Sequence, residues 1–309
     1  METRRSELTP DLFEQIEAGS QDNERIVGPP IGFWRDSWNR LKKNRGALVG
    51  LVVIVVVIAV AYVGPLLSPY TPYGQDLARR FVDPSSQFWF GTDEFGRDMW
   101  SRVWIGTRVS LYIGFLAAFL DLVVGVVYGA LSGLFGGRVD DVMQRGIEIL
   151  NGVPYLVVAI LAMLILSPGI ITITIAIGLT SWTYMARIVR SRMLQLKEQE
   201  FALASRSLGA NRARLLTKHL IPNSLGPMVV NLMFTIPLAI FSEAFLSFIG
   251  LGIQPPDTSL GALINEGYKE LRFHSYLLWF PTAVFSLLML SFNLLADGLR
   301  DALDPKMRK

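Results

Sequence analysis

Apolar residues run through this chain in long blocks separated by short charged segments, a pattern on the length scale of a bilayer. No charge occurs between Arg45 and Asp76, and Leu48 to Leu67 supplies about the twenty apolar residues that cross a hydrocarbon core of roughly 30 Å. A second block covers Ser110 to Gly133, interrupted only by Asp121. A third and a fourth share the charge-free interval between Glu148 and Arg187, which Pro168-Gly169 divides with a turn signal. A fifth block runs from about Leu225 to Ile249 around Glu243, and a sixth from Tyr276 to Ala296. The pattern predicts an all-α membrane protein of six transmembrane helices.

The segments between the blocks set the expected topology. Residues 1–30 carry seven acidic and three basic side chains with few apolar ones, which predicts a disordered acidic cytoplasmic tail. Within 31–45, Phe33, Trp34, Trp38 and Leu41 recur at helical spacing while Arg35, Arg40, Lys42, Lys43 and Arg45 fill the other face. That suits an amphipathic helix on the inner membrane surface; a solvated cationic linker is the alternative. The first span, 46–68, lies behind this long tail, too deep for a cleaved signal peptide. With the N-terminus inside, inner segments hold 22 Lys and Arg and outer ones 7, so both termini are expected in the cytoplasm. The division is then an extracytoplasmic loop at 69–107, a core of five spans at 108–298 with a long inner loop at 193–223, and a cytoplasmic C-terminus at 299–309.

Composition agrees and excludes several functions. Of 309 residues 51% are hydrophobic and 18% charged, too apolar for an ordinary soluble domain. Net charge is +3 with basic residues dispersed, so no nucleic-acid partner is expected. Cysteine is absent, and His219 and His274 stand alone, so neither a metal site nor a catalytic site is expected. No GxxxxGK[ST] phosphate loop occurs, so any ATP must bind elsewhere.

The inner loop carries the most specific pattern. Lys197 to Gly209 reads as a short helix with Phe201, Ala204 and Leu208 a turn apart and glycine placed to end it. A second helix, Arg212 to Leu220, is expected to stop at Pro222. So short a pair gains stability mainly by docking, either on its own membrane domain or on a partner.

Glu200-Phe201-Ala202 through Ala204, Ser205, Arg206, Leu208 and Gly209, followed after nine residues by His219-Leu220-Ile221-Pro222-Asn223, resembles the EAA motif of binding-protein-dependent ABC importer permeases. Leu203 stands at the motif's acidic position and Ser205 replaces its second alanine. Phe90-Gly91-Thr92-Asp93-Glu94-Phe95-Gly96-Arg97-Asp98, Ser242-Glu243-Ala244 through Gly252, and Asp297-Gly298-Leu299-Arg300-Asp301 resemble the peptide and nickel importer branch, most closely its OppC/DppC-like subunit. The resemblance covers the chain from about residue 33. It implies the type I ABC importer permease fold in the cytoplasmic (inner) membrane. It implies that Glu200 to Gly209, with His219 and Pro222, form a coupling helix seated on an ATPase. The implied partners are a second OppB/DppB-like permease, two ATPase subunits carrying ATP and Mg, an extracytoplasmic substrate-binding protein and a peptide substrate, with dipeptides or nickel as alternatives. No cofactor is expected on this chain itself.

Asp121 and Glu243, the acids inside predicted spans, are expected to face protein or water and are candidates to line the translocation path, though Glu243 also suits a structural carboxylate. Asp93, Arg97 and Asp98 suit either a docking surface for the binding protein or a self-contained turn. Trp89, Trp100 and Trp104 are expected to anchor at the membrane interface. The competing function is an autonomous secondary carrier or channel, which would call for more polar groups within the spans or an internal repeat.

Overall fold

The computed structural model describes residues 32–167 and 169–303. The acidic tail expected at 1–30 lies outside the described residues, as do Pro168 and residues 304–309. The chain divides into a unit ending at Asp36 and a unit from Ser37 onward. Of the first, only Gly32 and a helical turn closed by Asp36 N–H on Gly32 O are described.

Eleven α-helices follow one another among the described residues, and the only β pairing is a single bridge between Thr92 and Asp98. They are α1 Phe33–Leu41, α2 Arg45–Leu67, α3 Met99–Phe135, α4 Gly137–Gly152, α5 Tyr155–Leu166 and α6 Ile170–Leu196, then α7 Glu200–Ser207, α8 Arg212–Leu215, α9 Ile221–Phe248, α10 Leu260–Lys269 and α11 Tyr276–Leu303. Their starts follow local capping chemistry. Asn44 Oδ1 accepts from Ala47 N at 3.1 Å to open α2, and Ser259 Oγ accepts from Ala262 N at 3.1 Å to open α10.

Among the described residues, three helices are long and apolar enough to cross a membrane, α2, α3 and α11, and a fourth is the continuous stretch Arg212–Phe248. A fifth appears if α4 and α5, bent by 82°, count as one span. The interval expected to hold two spans does hold two helices, α5 and α6. However, α5 has 12 residues, roughly 18 Å, and α6 is diluted by Thr172, Thr174, Thr180, Ser181 and Thr183.

Two boundaries differ from expectation. The second span was expected from residue 108, with 69–107 as loop, but α3 begins at Met99. Asp98 caps it, and Arg102, which reads as a loop residue, is buried in ion pairs inside the helix. The second inner-loop helix does not stop at Pro222. After α8, Leu216–Leu220 form a π turn in which Ile221 N reaches Leu216 O, and α9 continues from there. Proline falls in the first turn of α9, where the widened π turn absorbs its missing N–H. Trp104 is buried in the notch left by Gly64, and Trp89 and Trp100 lie edge to face at 4.6 Å.

The most extensive helix pairing, α3 with α6, is built on a glycine seam. Gly125, Gly129 and Gly133 recur every four residues and let α6 approach to backbone contact. A Cβ on Gly125 would lie 2.6 Å from Met185 Cβ, one on Gly133 2.5 Å from Met193 Cβ, and one on Gly129 would meet the Ala186 carbonyl. A second core joins α2, α3, α9, α10 and α11 through Ile54, Val103, Leu111, Ile240, Leu263 and Leu288. The seam, with the cluster of Leu134, Met193, Leu220 and Met228, packs together the ends of α3, α6 and α9 on which the loop between α6 and α9 is built.

Candidate functional site

Between α6 and α9 the chain forms a helix-turn-helix whose local structure follows from four residues. The turn after α7 is a Schellman closure: Gly209 N bonds Arg206 O at 2.9 Å and Ala210 N bonds Ser205 O at 3.0 Å. Gly209 adopts φ +84°, a conformation that side chains with a Cβ resist. Asn211 Oδ1 then accepts from Arg214 N at 2.8 Å and starts α8. Past the π turn, Asn223 Nδ2 donates to His219 O at 2.6 Å and Ser224 Oγ to Leu220 O at 3.0 Å, covering carbonyls near the proline.

The loop has a seated face and a bare face. Ala202 is fully buried in one cluster with Met193 of α6, Leu215, Leu220, and Met228 of α9, so α7 is fastened to both spans. Lys197 Nζ donates to Gly133 O at 3.1 Å and the Arg212 guanidinium lies 5.3 Å over the Phe135 ring, fastening it to α3 as well. On the other side Phe201, Leu203 and Leu208 are exposed, Leu208 to 89%. Phe201, Ala204, Ser205, Leu208, Ala210, Arg214 and His219 line a shallow groove there, with the Phe201 and His219 rings 6.4 Å apart. Of the expected coupling residues, Phe201, Ala204, Ser205, Leu208 and His219 meet in this groove, while Ala202 faces the spans. Glu200 is exposed at the start of α7, Arg206 near its end, and Pro222 on the far side of the π turn. The apolar stripe read from the sequence, Phe201, Ala204 and Leu208, lies on the bare face, while the flanking Ala202 is the anchor.

A neighbouring contact was not anticipated. Asp140 of α4 pairs with Arg190 of α6, Ser132 of α3 donates to the same carboxylate, and Gln144 donates to Ser132. Both charged residues flank apolar blocks, but fifty residues separate them and nothing local pairs them.

On the opposite side of the spans, Asp93, Arg97 and Asp98 are 2–3% exposed and serve the turn itself. Asp93 Oδ1 accepts from Phe95 N and Arg97 N at 2.9 Å each, and Oδ2 accepts from Arg97 Nε at 2.6 Å. Arg102 Nε lies 3.4 Å from the same carboxylate while Nη2 reaches Glu266 at 2.9 Å, linking the turn to α10. Asp98 Oδ2 caps α3 and accepts from Ser68 Oγ at 2.8 Å, holding the end of α2 to the start of α3. Gly96, at φ +71°, lies so close to the Asp76 carbonyl that any Cβ would collide with it.

The two acids expected within the spans, Asp121 and Glu243, are enclosed. Asp121 is 1% exposed; its Oδ2 accepts from Thr235 Oγ1 at 2.8 Å and Asn231 Nδ2 at 3.3 Å. Glu243 is fully buried and accepts from Ser110 at 2.8 Å and Ser247 at 2.7 Å. Ser110 Oγ also receives the Leu260 N–H at 3.2 Å, so Glu243 draws the start of α10 onto α3 and α9. Each carboxylate joins two helices, and neither reaches an open surface of this chain.

Comparison with known proteins places this architecture. Residues 32–84 match the N-terminal TM domain of oligopeptide transport permease C. The dipeptide transport system permease protein DppC of Bacillus subtilis (strain 168) is 44% identical over 305 residues, spanning 98% of this chain and 95% of that protein. The oligopeptide transport system permease protein OppC of the same organism is 45% identical over 299 residues, spanning 97% and 98%. Among solved structures, a chain of the inward-facing MetNI methionine ABC transporter shares the fold, with a TM-score of 0.55 at 17% identity over 65% of this chain and 97% of that one. Residues 125–309, which contain the glycine seam and the whole inner loop, match the binding-protein-dependent transport system inner membrane component, and the chain belongs to that family.

Proposed function

We propose that this chain is one of two permease subunits of an ATP-driven importer of peptides in the cytoplasmic membrane, with oligopeptides as the first expectation. The reading is carried by α7, a two-turn helix with its buried side fixed to α3, α6 and α9 and its apolar end bare. An 89% exposed leucine at a helix end, above a groove lined by Phe201 and His219, fits a partner that fills it. In this reading the partner is an ATPase subunit carrying ATP and Mg, with a second copy on the related permease. The unbroken helix from Arg212 to Phe248 then carries ATPase movement directly into a membrane span. Six crossings with both termini inside complete the topology; the Lys and Arg bias supports it. This chain contributes no catalytic group. The peptide substrate is drawn from the names of the relatives, and an extracytoplasmic binding protein delivers it. Asp121 and Glu243 serve in this reading as ties between helices.

The test is uptake into vesicles holding this chain, its companion permease and ATPases, with binding protein outside and ATP inside. Accumulation of a labelled oligopeptide that requires ATP is expected. Peptide flux through this chain alone without ATP would contradict the proposal.

A further inference from the structure

Beside the groove lined by Phe201 and Leu208, a second cavity of about 670 Å³ opens between the end of α3, the end of α6 and the turn from α7 into α8. Leu134 and Phe135 lie on its apolar side, and Lys197, Arg206 and Arg212 reach it from three separate elements. Two of these cations are held in place, Lys197 Nζ by Gly133 O at 3.1 Å and the Arg212 guanidinium by the Phe135 ring at 5.3 Å. Glu198 also lines the cavity, but among the described residues no ion pair includes it or any of the three cations. Three cations against one carboxylate leave positive charge in excess, and most of it is fixed before any partner arrives.

An anion is the complementary occupant, and position decides which one. Lys197 stands ten residues beyond Arg187, where the charge-free run of α6 ends, so roughly 15 Å of helix separates that boundary from the cavity. The headgroup layer extends only about 5–8 Å past the hydrocarbon core, so lipid phosphates fall short. The groove under Leu208, by contrast, adjoins the cavity: Ala210 lines both, and Arg206 stands in the last turn of α7, which Leu208 caps. A body seated on the groove therefore reaches the cavity. We infer that the cavity receives a carboxylate side chain of the same ATPase subunit that seats on the groove. An apolar seat and a charged pocket then hold α7 from two sides. The inference rests on the ATPase reading above and adds the charge of the partner's surface, acidic opposite Arg206.

The test measures dissociation of the ATPase subunit from the complete complex in mild detergent across a range of KCl concentrations. Binding to the unaltered chain is expected to weaken as salt rises, because screening shortens the reach of the cations. Arg206 is exposed, and among the described residues its side chain enters no ion pair, so Arg206→Gln leaves the loop's own contacts in place. It is expected to bind the ATPase about tenfold more weakly at low salt, the loss of one charged partner. The difference should shrink toward 1 M KCl, where the screening length is about 3 Å. Arg212→Gln should act in the same direction, and Arg206→Lys should retain most of the binding. Unchanged affinity in Arg206→Gln would overturn the assignment, and so would a loss equal at every salt concentration, which marks a displaced loop. In either case the ATPase reading survives, since the unaltered chain still binds. If the unaltered complex held no ATPase at any salt concentration, that reading would fail and the cavity's occupant with it.

Discussion

Arg190 grips both oxygens of Asp140, Nε to Oδ1 at 2.6 Å and Nη2 to Oδ2 at 2.5 Å, and so fastens α4 to α6 beside the inner loop. The arginine is about a third exposed and the aspartate almost buried, so the pair is worth more than a surface ion pair and less than a buried one. Asp140→Asn or Arg190→Gln is expected to destabilise the solubilised chain by about 1–3 kcal/mol. The double variant should lose less than the sum of the two singles. Thermal unfolding in mild detergent reads both effects.

The glycine seam makes a sharper expectation. Gly129→Val would push a branched side chain into the Ala186 carbonyl and the Val189 side chain, forcing α3 and α6 apart. Overpacking of this kind costs about 1–3 kcal/mol. Gly137→Val, at a position with open space around it, is the contrast, since only its φ of +52° resists substitution. The same thermal unfolding assay should rank Gly129→Val below Gly137→Val.

Asp121 and Thr235 provide a test of enclosure. If Asp121 acts as a tie between α3 and α9, a double-mutant cycle of Asp121→Ala and Thr235→Ala should return a coupling of about 0.6–1.7 kcal/mol, the range for hydrogen bonds between membrane helices. A coupling near zero, with transport lost in Asp121→Ala alone, would instead mark the carboxylate as part of the substrate path.

Gly209 links local backbone strain to function. Valine at φ +84° costs on the order of 1–2 kcal/mol and disfavours the Schellman turn that orients α7. Insertion and the spans should survive, because α7 rests on them and they do not depend on α7. Gly209→Val is therefore expected to reach the membrane in normal amount and to show reduced peptide uptake per ATP hydrolysed.

The helices α2, α9 and α11 were legible because apolar runs of bilayer length with at most one charge have few other readings. The start of α3 was not. Arg102 looks like a loop residue until Glu266, distant in sequence, is brought to within 2.9 Å of it, and only the fold supplies that partner. The stop expected at Pro222 failed because proline is tolerated in the first turn of a helix, where its missing N–H has no intrahelical acceptor to lose, and Pro222 stands in the first turn of α9 after a π turn. Within the inner loop, the position of Gly209 and the gathering of Phe201, Ala204 and Leu208 were readable from spacing. Which of the small residues anchors the helix was not, since Ala202 and Ala204 differ only in what lies across from them. The four-residue spacing of Gly125, Gly129 and Gly133 was not read from the sequence, and it has meaning only once α6 is placed against it.

The central claim is that the bare end of α7 seats an ATPase, and co-purification of its partners with this chain tests it most directly. Chain solubilised in mild detergent from its native cells is expected to bring down a second permease and an ATPase carrying a phosphate loop, whereas Leu208→Asp is expected to keep the permease and lose the ATPase. Recovery of the same ATPase with Leu208→Asp, or recovery of the unaltered chain alone and still active in vesicles without ATP, would contradict it.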